Sequence, residues 1–251
     1  FATLKNTEEG DFARFYPTTV METGYDILPF WVMRMLMMGY FETGKLPFSQ
    51  IYLHGLVRDA KGQKMSKSKG NVVNPLEIVE KYGADALRFA LLVRSSAGLD
   101  KSVSEGDFKA ARNLTNKIWN AARFVKQLSE TEAGQEEVEH KSRQLDQEFA
   151  EKIQQIINEV TQALNDYKPG LAADLLYDYF WHFFCDQAIE NCKEGQLSST
   201  LLEKGLLVFL KLWQPFIPYV TEQIWQEFAK ITTNEKLLAN SAWPIAFTAG
   251  N

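Results

Sequence analysis

The chain has 251 residues, 45% of them hydrophobic and 13% aromatic, with 27 Lys and Arg against 32 Asp and Glu for a net charge of −5. That length and apolar content exclude a disordered chain and allow one large or two ordinary domains. No apolar run approaches the ~20 residues of a membrane span, and the negative balance excludes attraction of the whole molecule to nucleic acid, so any RNA contact must be a local basic patch. Residues 1–104 carry 13 basic and 11 acidic side chains, leaving 14 and 21 for the rest, so the second part is the acidic one.

Phe1 to Arg14 has little periodicity and reads as a loop or truncated edge. With neither an initiator Met nor a signal peptide there, the sequence is expected to be a piece of a longer chain. Pro17 to Met21 is short, apolar and β-branched, a predicted strand, and Thr23-Gly24 ends it where a strand-to-helix turn would lie. Leu28 to Tyr40 predicts a very apolar helix. In a doubly wound sheet, ligands gather at the carboxyl ends of strands, where Gly24 and Asp26 fall. A Gly lets a ribose approach the backbone and a carboxylate accepts from its hydroxyls; the same carboxylate would also serve as a helix N-cap.

Ile51 to Leu56 predicts the next strand, with His54 at its end as either a structural or a catalytic imidazole. A polar turn follows at Asp59 to Gly62, then Lys64-Met65-Ser66-Lys67-Ser68, Lys69 and Gly70, and Pro75 opens an amphipathic segment. The lysines therefore sit on a loop between a buried strand and a helix. Ammonium groups with three donors each can follow phosphate oxygens as charge moves, and small residues let the backbone come close, so the loop suits a polyphosphate. A solvated basic turn is the plain alternative. Pro75 to Tyr82 and Ala84 to Val93 predict two short helices split by Gly83, patterned for packing.

From Glu105 the period becomes helical, with helices near 105–129, 144–167, 171–193, 198–213 and 218–230 and breaks at Gly134, Lys168-Pro169-Gly170, Gly195 and Pro215/Pro218. An antiparallel helical bundle follows. Leu175 to Glu190 is apolar nearly all round and is expected to be the most buried helix, with His182 in the core. The acidic stretch from Glu130 to Glu139 reads as a solvated inter-helix loop. Cys185 and Cys192 lie too far apart along one helix for a disulfide, and no CxxC suggests zinc; reduced core thiols of a cytosolic protein are expected.

The run KMSKS-GN, followed by YGADALRF, resembles the second nucleotide-binding motif of the class I aminoacyl-tRNA synthetases, and TGYDILPFWVMRM resembles the segment by which the valyl enzymes are known within that class. RNLTNKIWNAARF, FW..FCD..IE, PFIPYVTEQIW and LLANSAWP resemble the anticodon-binding bundle of the valyl, isoleucyl and leucyl group. The implied fold is α/β followed by all-α: residues 1–104 as the second half of a Rossmann-like nucleotide-binding fold with the KMSKS loop and stem-contact region, and 105–251 as an antiparallel helical anticodon-binding bundle. The resemblance implies Lys64 and Lys67 as catalytic, Gly24, Asp26, His54, Gly55, Leu56, Val57, Met65, Ser66 and Ser68 around ATP or the adenylate, and Trp31 against the amino acid. It places Lys117, Arg123 and Phe124 at the anticodon. No HIGH-type motif occurs, so the first half of the fold and the editing domain are expected elsewhere in the longer protein, and the piece alone is expected to be inactive. ATP with Mg2+, valine and tRNA(Val) are the implied partners of a monomeric cytoplasmic ligase with no zinc and no membrane contact. An isoleucyl- or leucyl-type fragment and a stand-alone, non-catalytic tRNA-binding module are the alternatives; an isoleucyl enzyme would be expected to show Glu-Gly-Ser-Asp-Gln where this chain has Thr23-Gly24-Tyr25-Asp26-Ile27.

Overall fold

The computed structural model describes residues 10–132, 143–232 and 237–249. The chain divides into two compact units, one formed by residues up to 64 together with 96–102, the other by 65–95 together with 103 onward.

In the first unit a short helix α1 (Asp11–Phe15) precedes strand β1 (Thr18–Gly24), helix α2 (Met33–Thr43) and strand β2 (Phe48–His54). The predicted loop at Phe1 to Arg14 is thus helical over its last part, and its first nine residues lie outside the described ones. Strands β1 and β2 pair in parallel, Thr18 opposite Phe48 through Gly24 opposite His54, with α2 in the connection between them. A parallel pair needs such a crossover, and Thr18, Thr19, Val20 and Thr23 in β1 and Phe48, Ile51 and Tyr52 in β2 are the β-branched and aromatic residues that favour it. The predicted helix from Leu28 is π-helical over Leu28–Val32 before becoming regular at Met33. Pro29 falls in the first turn, where its missing amide would have had no helical partner. A second parallel pair, β3 (Val57–Arg58) with β4 (Lys101–Ser102), closes this unit.

The second unit contains, among the described residues, helices α3 (Pro75–Tyr82), α4 (Ala84–Leu92), α5 (Glu105–Glu132), α6 (Arg143–Asn165), α7 (Pro169–Asp178), a π-helical run Tyr179–Ala188, α8 (Ile189–Lys193), α9 (Ser199–Trp213) and α10 (Pro218–Thr232). Helix α3 starts with its Asn74 side chain accepting the Leu76 amide at 3.1 Å, a standard N-cap with Pro75 at the first helical position. Helix α5 packs on α3, α4, α9 and α10. Its buried stripe, Leu114, Ile118, Ala121 and Val125, follows the helical period, as the sequence predicts. The exposed side of α6 carries i,i+4 pairs such as Gln147 to Glu151 and Gln155 to Glu159.

Two expectations are corrected here. The most buried helix is α9, with Leu202, Leu206, Phe209, Leu210, Leu212 and Trp213 inaccessible to solvent. The aromatic run Leu175 to Glu190 instead divides: Phe180 and Phe184 are buried, while Trp181 and Phe183 sit at the margin. His182 is not a core residue; its side chain is 67% exposed, with Nδ1 3.4 Å from Asp186. An aromatic face can be covered by lysine stems instead of by another helix, and Lys117 over Trp181 at 3.9 Å does this. Gly134 and most of the acidic stretch lie outside the described residues.

Candidate functional site

Within the first unit, the carboxyl ends of β1 and β2 bring together residues 30 apart in sequence. Gly24 is paired with His54, and a Cβ on Gly24 would stand 2.8 Å from Asp26 Oδ1 and 3.5 Å from His54 Cε1. Asp26 and His54 thus stand over the buried Gly24, and the three together form a cradle at these strand ends. Asp26 sits on the single turn Tyr25–Ile27, exposed, and that turn and the two helical segments after it have no side-chain cap, so its carboxylate is not consumed as an N-cap. His54 has its Nδ1 2.9 Å from the Gly55 carbonyl and its Nε2 3.4 Å from Glu22.

Gly55, Leu56 and Val57 continue from β2. At Gly55 a Cβ would lie 1.7 Å from the Leu99 carbonyl oxygen, so no other residue fits without moving the backbone. The Leu56 amide donates to Asp100 Oδ1 at 2.8 Å and the Leu56 carbonyl accepts from Lys101 at 3.0 Å, so both of its backbone groups are engaged inside the protein. Asp100 Oδ2 accepts from Arg58 Nε at 2.5 Å and from the Tyr25 hydroxyl at 3.4 Å. The Leu56 amide, with Arg58 beside it, holds the Asp100 carboxyl below its ordinary value. Tyr25, Arg58 and Asp100 were not among the sequence candidates. Their partners lie 42 to 75 residues away, and no local pattern carries such a link.

Trp31 lies on the π-helical turn, 57% exposed. Lys64 forms an isolated antiparallel bridge with Arg58 at the end of the first unit. The remaining loop residues belong to the second unit and are organised among themselves. Asn71 Oδ1 accepts the Ser66 amide at 2.9 Å, the Ser66 and Ser68 hydroxyls are 3.2 Å apart, and Lys67–Lys69 forms a single turn closed by Gly70 in the left-handed region. Lys67 and Ser68 are exposed; Met65 and Ser66 are half-buried. Exposed ammonium groups on a turn with two hydroxyls can take phosphate oxygens at little cost in reorganisation.

On α5 the three predicted RNA-contact residues differ in availability. Arg123 is exposed at a cleft of about 330 Å³ lined also by Trp119, Lys126 and Glu227. Phe124 is half-buried against the core with Lys193 Nζ 4.8 Å from its ring centre. Lys117 is committed to Trp181 and, at 3.4 Å, to Asp186. Among the described residues no three His, Cys, Asp or Glu side chains converge as a metal site, and no helix is long and apolar enough to cross a membrane.

Comparison with known proteins gives these features a family context. Residues 1–104 match the family of tRNA synthetases class I (I, L, M and V), and residues 146–249 match the anticodon-binding domain of tRNA ligases. The chain is 41% identical to the valine–tRNA ligase of Thermotoga maritima over 97% of its own length and 28% of that protein. It is 42% identical to that of Dehalococcoides mccartyi over 86% of its length and 25% of the relative. It therefore spans less than a third of the curated relatives it matches. Among solved structures, the LeuRS–tRNA–LeuAMS complex of Agrobacterium radiobacter superposes with a TM-score of 0.74 at 24% identity, covering 91% of this chain and 28% of that one. The methionyl-tRNA synthetase of Mycobacterium tuberculosis with methionyl-adenylate gives 0.73 at 21% identity, covering 98% and 50%. These two show a shared fold.

Proposed function

We propose that the chain is part of a class I tRNA synthetase, a valine–tRNA ligase, in which residues 1–104 complete the ATP site and residues 105–251 form an antiparallel bundle that grips tRNA(Val). The observation that carries this reading is identity near 40% to valine–tRNA ligases over almost the whole chain, across both the nucleotide-site and the helical segments.

The parent reaction joins valine to ATP with release of pyrophosphate, then passes the acyl group from the adenylate to the terminal ribose of tRNA. No covalent enzyme intermediate is needed, so the protein's work is positioning and charge stabilisation. In this reading the ribose lies beside Gly24 with Asp26 accepting its hydroxyls, and the adenine lies along His54, Gly55, Leu56 and Val57. Since the Leu56 amide and carbonyl are already spent, Leu56 contributes its position and apolar surface. Lys64 and Lys67 brace the pyrophosphate as charge develops on it, with Met65, Ser66 and Ser68 shaping the loop. Mg2+ enters as part of the ATP substrate, on the phosphates. Trp31, exposed on its turn, is the wall for the valine side chain. Lys117, Arg123 and Phe124 face the anticodon.

Valine-dependent exchange of pyrophosphate into ATP by the longer enzyme containing this chain tests the reading, with isoleucine and leucine as competitors. Exchange that prefers isoleucine or leucine would replace the valyl assignment, and absence of exchange with every amino acid would leave a tRNA-binding module in its place. The 251 residues by themselves are expected to give no exchange above a blank, because the nucleotide site needs the HIGH half as well.

A further inference from the structure

We propose that Asp100 is a positioning residue for the nucleotide: it holds the two sides of the cradle, the Tyr25 turn and the Gly55–Val57 strand end, in the one arrangement that accepts ATP. The proposal rests on the nucleotide-site assignment made above. Its own support is geometric.

Three chain segments meet at this carboxylate: its own, the Tyr25 turn and the Leu56–Arg58 stretch. Oδ1 takes the Leu56 amide at 2.8 Å; Oδ2 takes Arg58 Nε at 2.5 Å, with Nη2 closer still, and the Tyr25 hydroxyl at 3.4 Å. Arg58 in turn donates through Nη1 to the Gly62 carbonyl at 3.3 Å, in the turn that leads to Lys64. Tyr25 is the residue between Gly24 and Asp26, so the same group bears on the ribose side and on the adenine side. The backbone around it is also fixed. The Gly98 amide donates to the Leu53 carbonyl at 2.7 Å, Lys101 donates to Leu56 at 3.0 Å, and the Leu99 carbonyl fills the space a side chain at Gly55 would need. Residues 98–101 thus close off the end of β2, where an unpaired strand end would otherwise have its polar groups unmet.

An ionised acceptor shared among an amide and a guanidinium forms charge-assisted bonds, which hold geometry better than neutral ones. Removing it leaves the Leu56 amide without its partner and Arg58 without its anchor, while its hydrogen-bond partners among the described residues, Leu56, Arg58 and Tyr25, do not include Trp31. The expected signature is therefore selective for the nucleotide. Asp100→Asn retains an oxygen for the Leu56 amide but loses the charge on Arg58, so it should fall between the parent and Asp100→Ala.

The test uses the longer enzyme with Asp100→Ala and Asp100→Asn, reading KM for ATP, KM for valine and kcat in pyrophosphate exchange, together with amide hydrogen exchange at Leu56 and the thermal midpoint. The expected result for Asp100→Ala is faster exchange at Leu56 and a KM for ATP raised by about tenfold or more, the equivalent of at least one charge-assisted hydrogen bond. The KM for valine should be unchanged and the value for Asp100→Asn intermediate. A parent enzyme that exchanges while Asp100→Ala keeps its KM for ATP, or loses ATP and valine affinity equally, overturns this proposal alone. A parent enzyme with no exchange for any amino acid overturns it together with the assignment beneath it. If Asp100→Ala does not fold, Asp100→Asn decides by the same ratio of the two KM values.

Discussion

The Asp85 carboxylate accepts the Val220 amide at 2.7 Å across 135 residues of chain, and the Tyr219 amide at 3.2 Å with its other oxygen. These are first-turn amides of α10, groups that an N-cap normally serves. Arg88, on the same face of α4, donates to the carbonyls of Pro215 and Phe216 just before that helix. A residue of α4 therefore caps α10 from outside its own segment.

Asp85→Ala should lower the unfolding free energy by about 1–2 kcal/mol, the usual cost of a lost cap. Burial raises the Asp85 pKa, against the pull of the two amides and Arg88. The charged form is thus the costlier one here, and this site favours the fold more as pH falls, opposite to a carboxylate whose pKa is depressed. Asp85→Asn keeps one acceptor oxygen without a charge but turns its NH2 toward the second amide, so it should lose less than Asp85→Ala and fall between that variant and the parent. Urea denaturation of the three forms checks the order; an Asn variant as unstable as the Ala variant would refute it.

Burial pushes the Cys185 thiol from 9.0 up to about 12, with Lys117 opposing and Asp186 reinforcing the shift. Tyr179 is raised to about 12 by burial and by its bond to Glu159. The unfolded chain ionises these groups first, so their contribution to stability is intact below pH 9.0 and declines as pH rises from there toward about 12. Cys185→Ser should flatten the first part of that decline in a pH series of thermal midpoints. The thiol also stays protonated near neutrality, and Ellman's reagent should react with it only as the protein unfolds.

Lys67→Ala in the longer enzyme should lower the rate of valine activation far more than it weakens valine binding. Lys67 is exposed on its turn, and in the proposed role its charge would meet pyrophosphate chiefly in the transition state, where one such contact is worth about 3 kcal/mol. Exchange kinetics beside valine binding measured by calorimetry separate the two; equal losses would make Lys67 a general binding or folding residue.

Arg123→Ala and Phe124→Ala should each weaken binding of valine tRNA by about 1–3 kcal/mol while leaving valine activation unchanged. Lys117→Ala should do less to affinity, since that ammonium is already held by Trp181 and Asp186. Filter binding with far-UV dichroism as a folding control measures this. Wild-type affinity in both the Arg123 and Phe124 variants would remove this surface from consideration.

Features that a local period or a local run of letters encodes could be read before folding. The helices at Pro75, Ala84, Glu105, Ser199 and Pro218 begin within a residue or so of where proline, caps and apolar spacing put them, because helix limits are set by groups a few residues apart. The proposals at Gly24, Asp26 and the lysine loop could be framed from the sequence because they rest on contiguous residues. Burial within an apolar helix was not: the run from Leu175 carries as many aromatics as a core helix, yet a lysine from α5 covers Trp181 and leaves α9 the better-enclosed element. Nor were the Asp100 network and the Asp85 cap legible. Both join groups more than 40 residues apart, and a single carboxylate among 32 acidic side chains has nothing in its neighbours to announce which distant amide it will meet. Only folding, which must satisfy each buried amide with some acceptor, decided those partners.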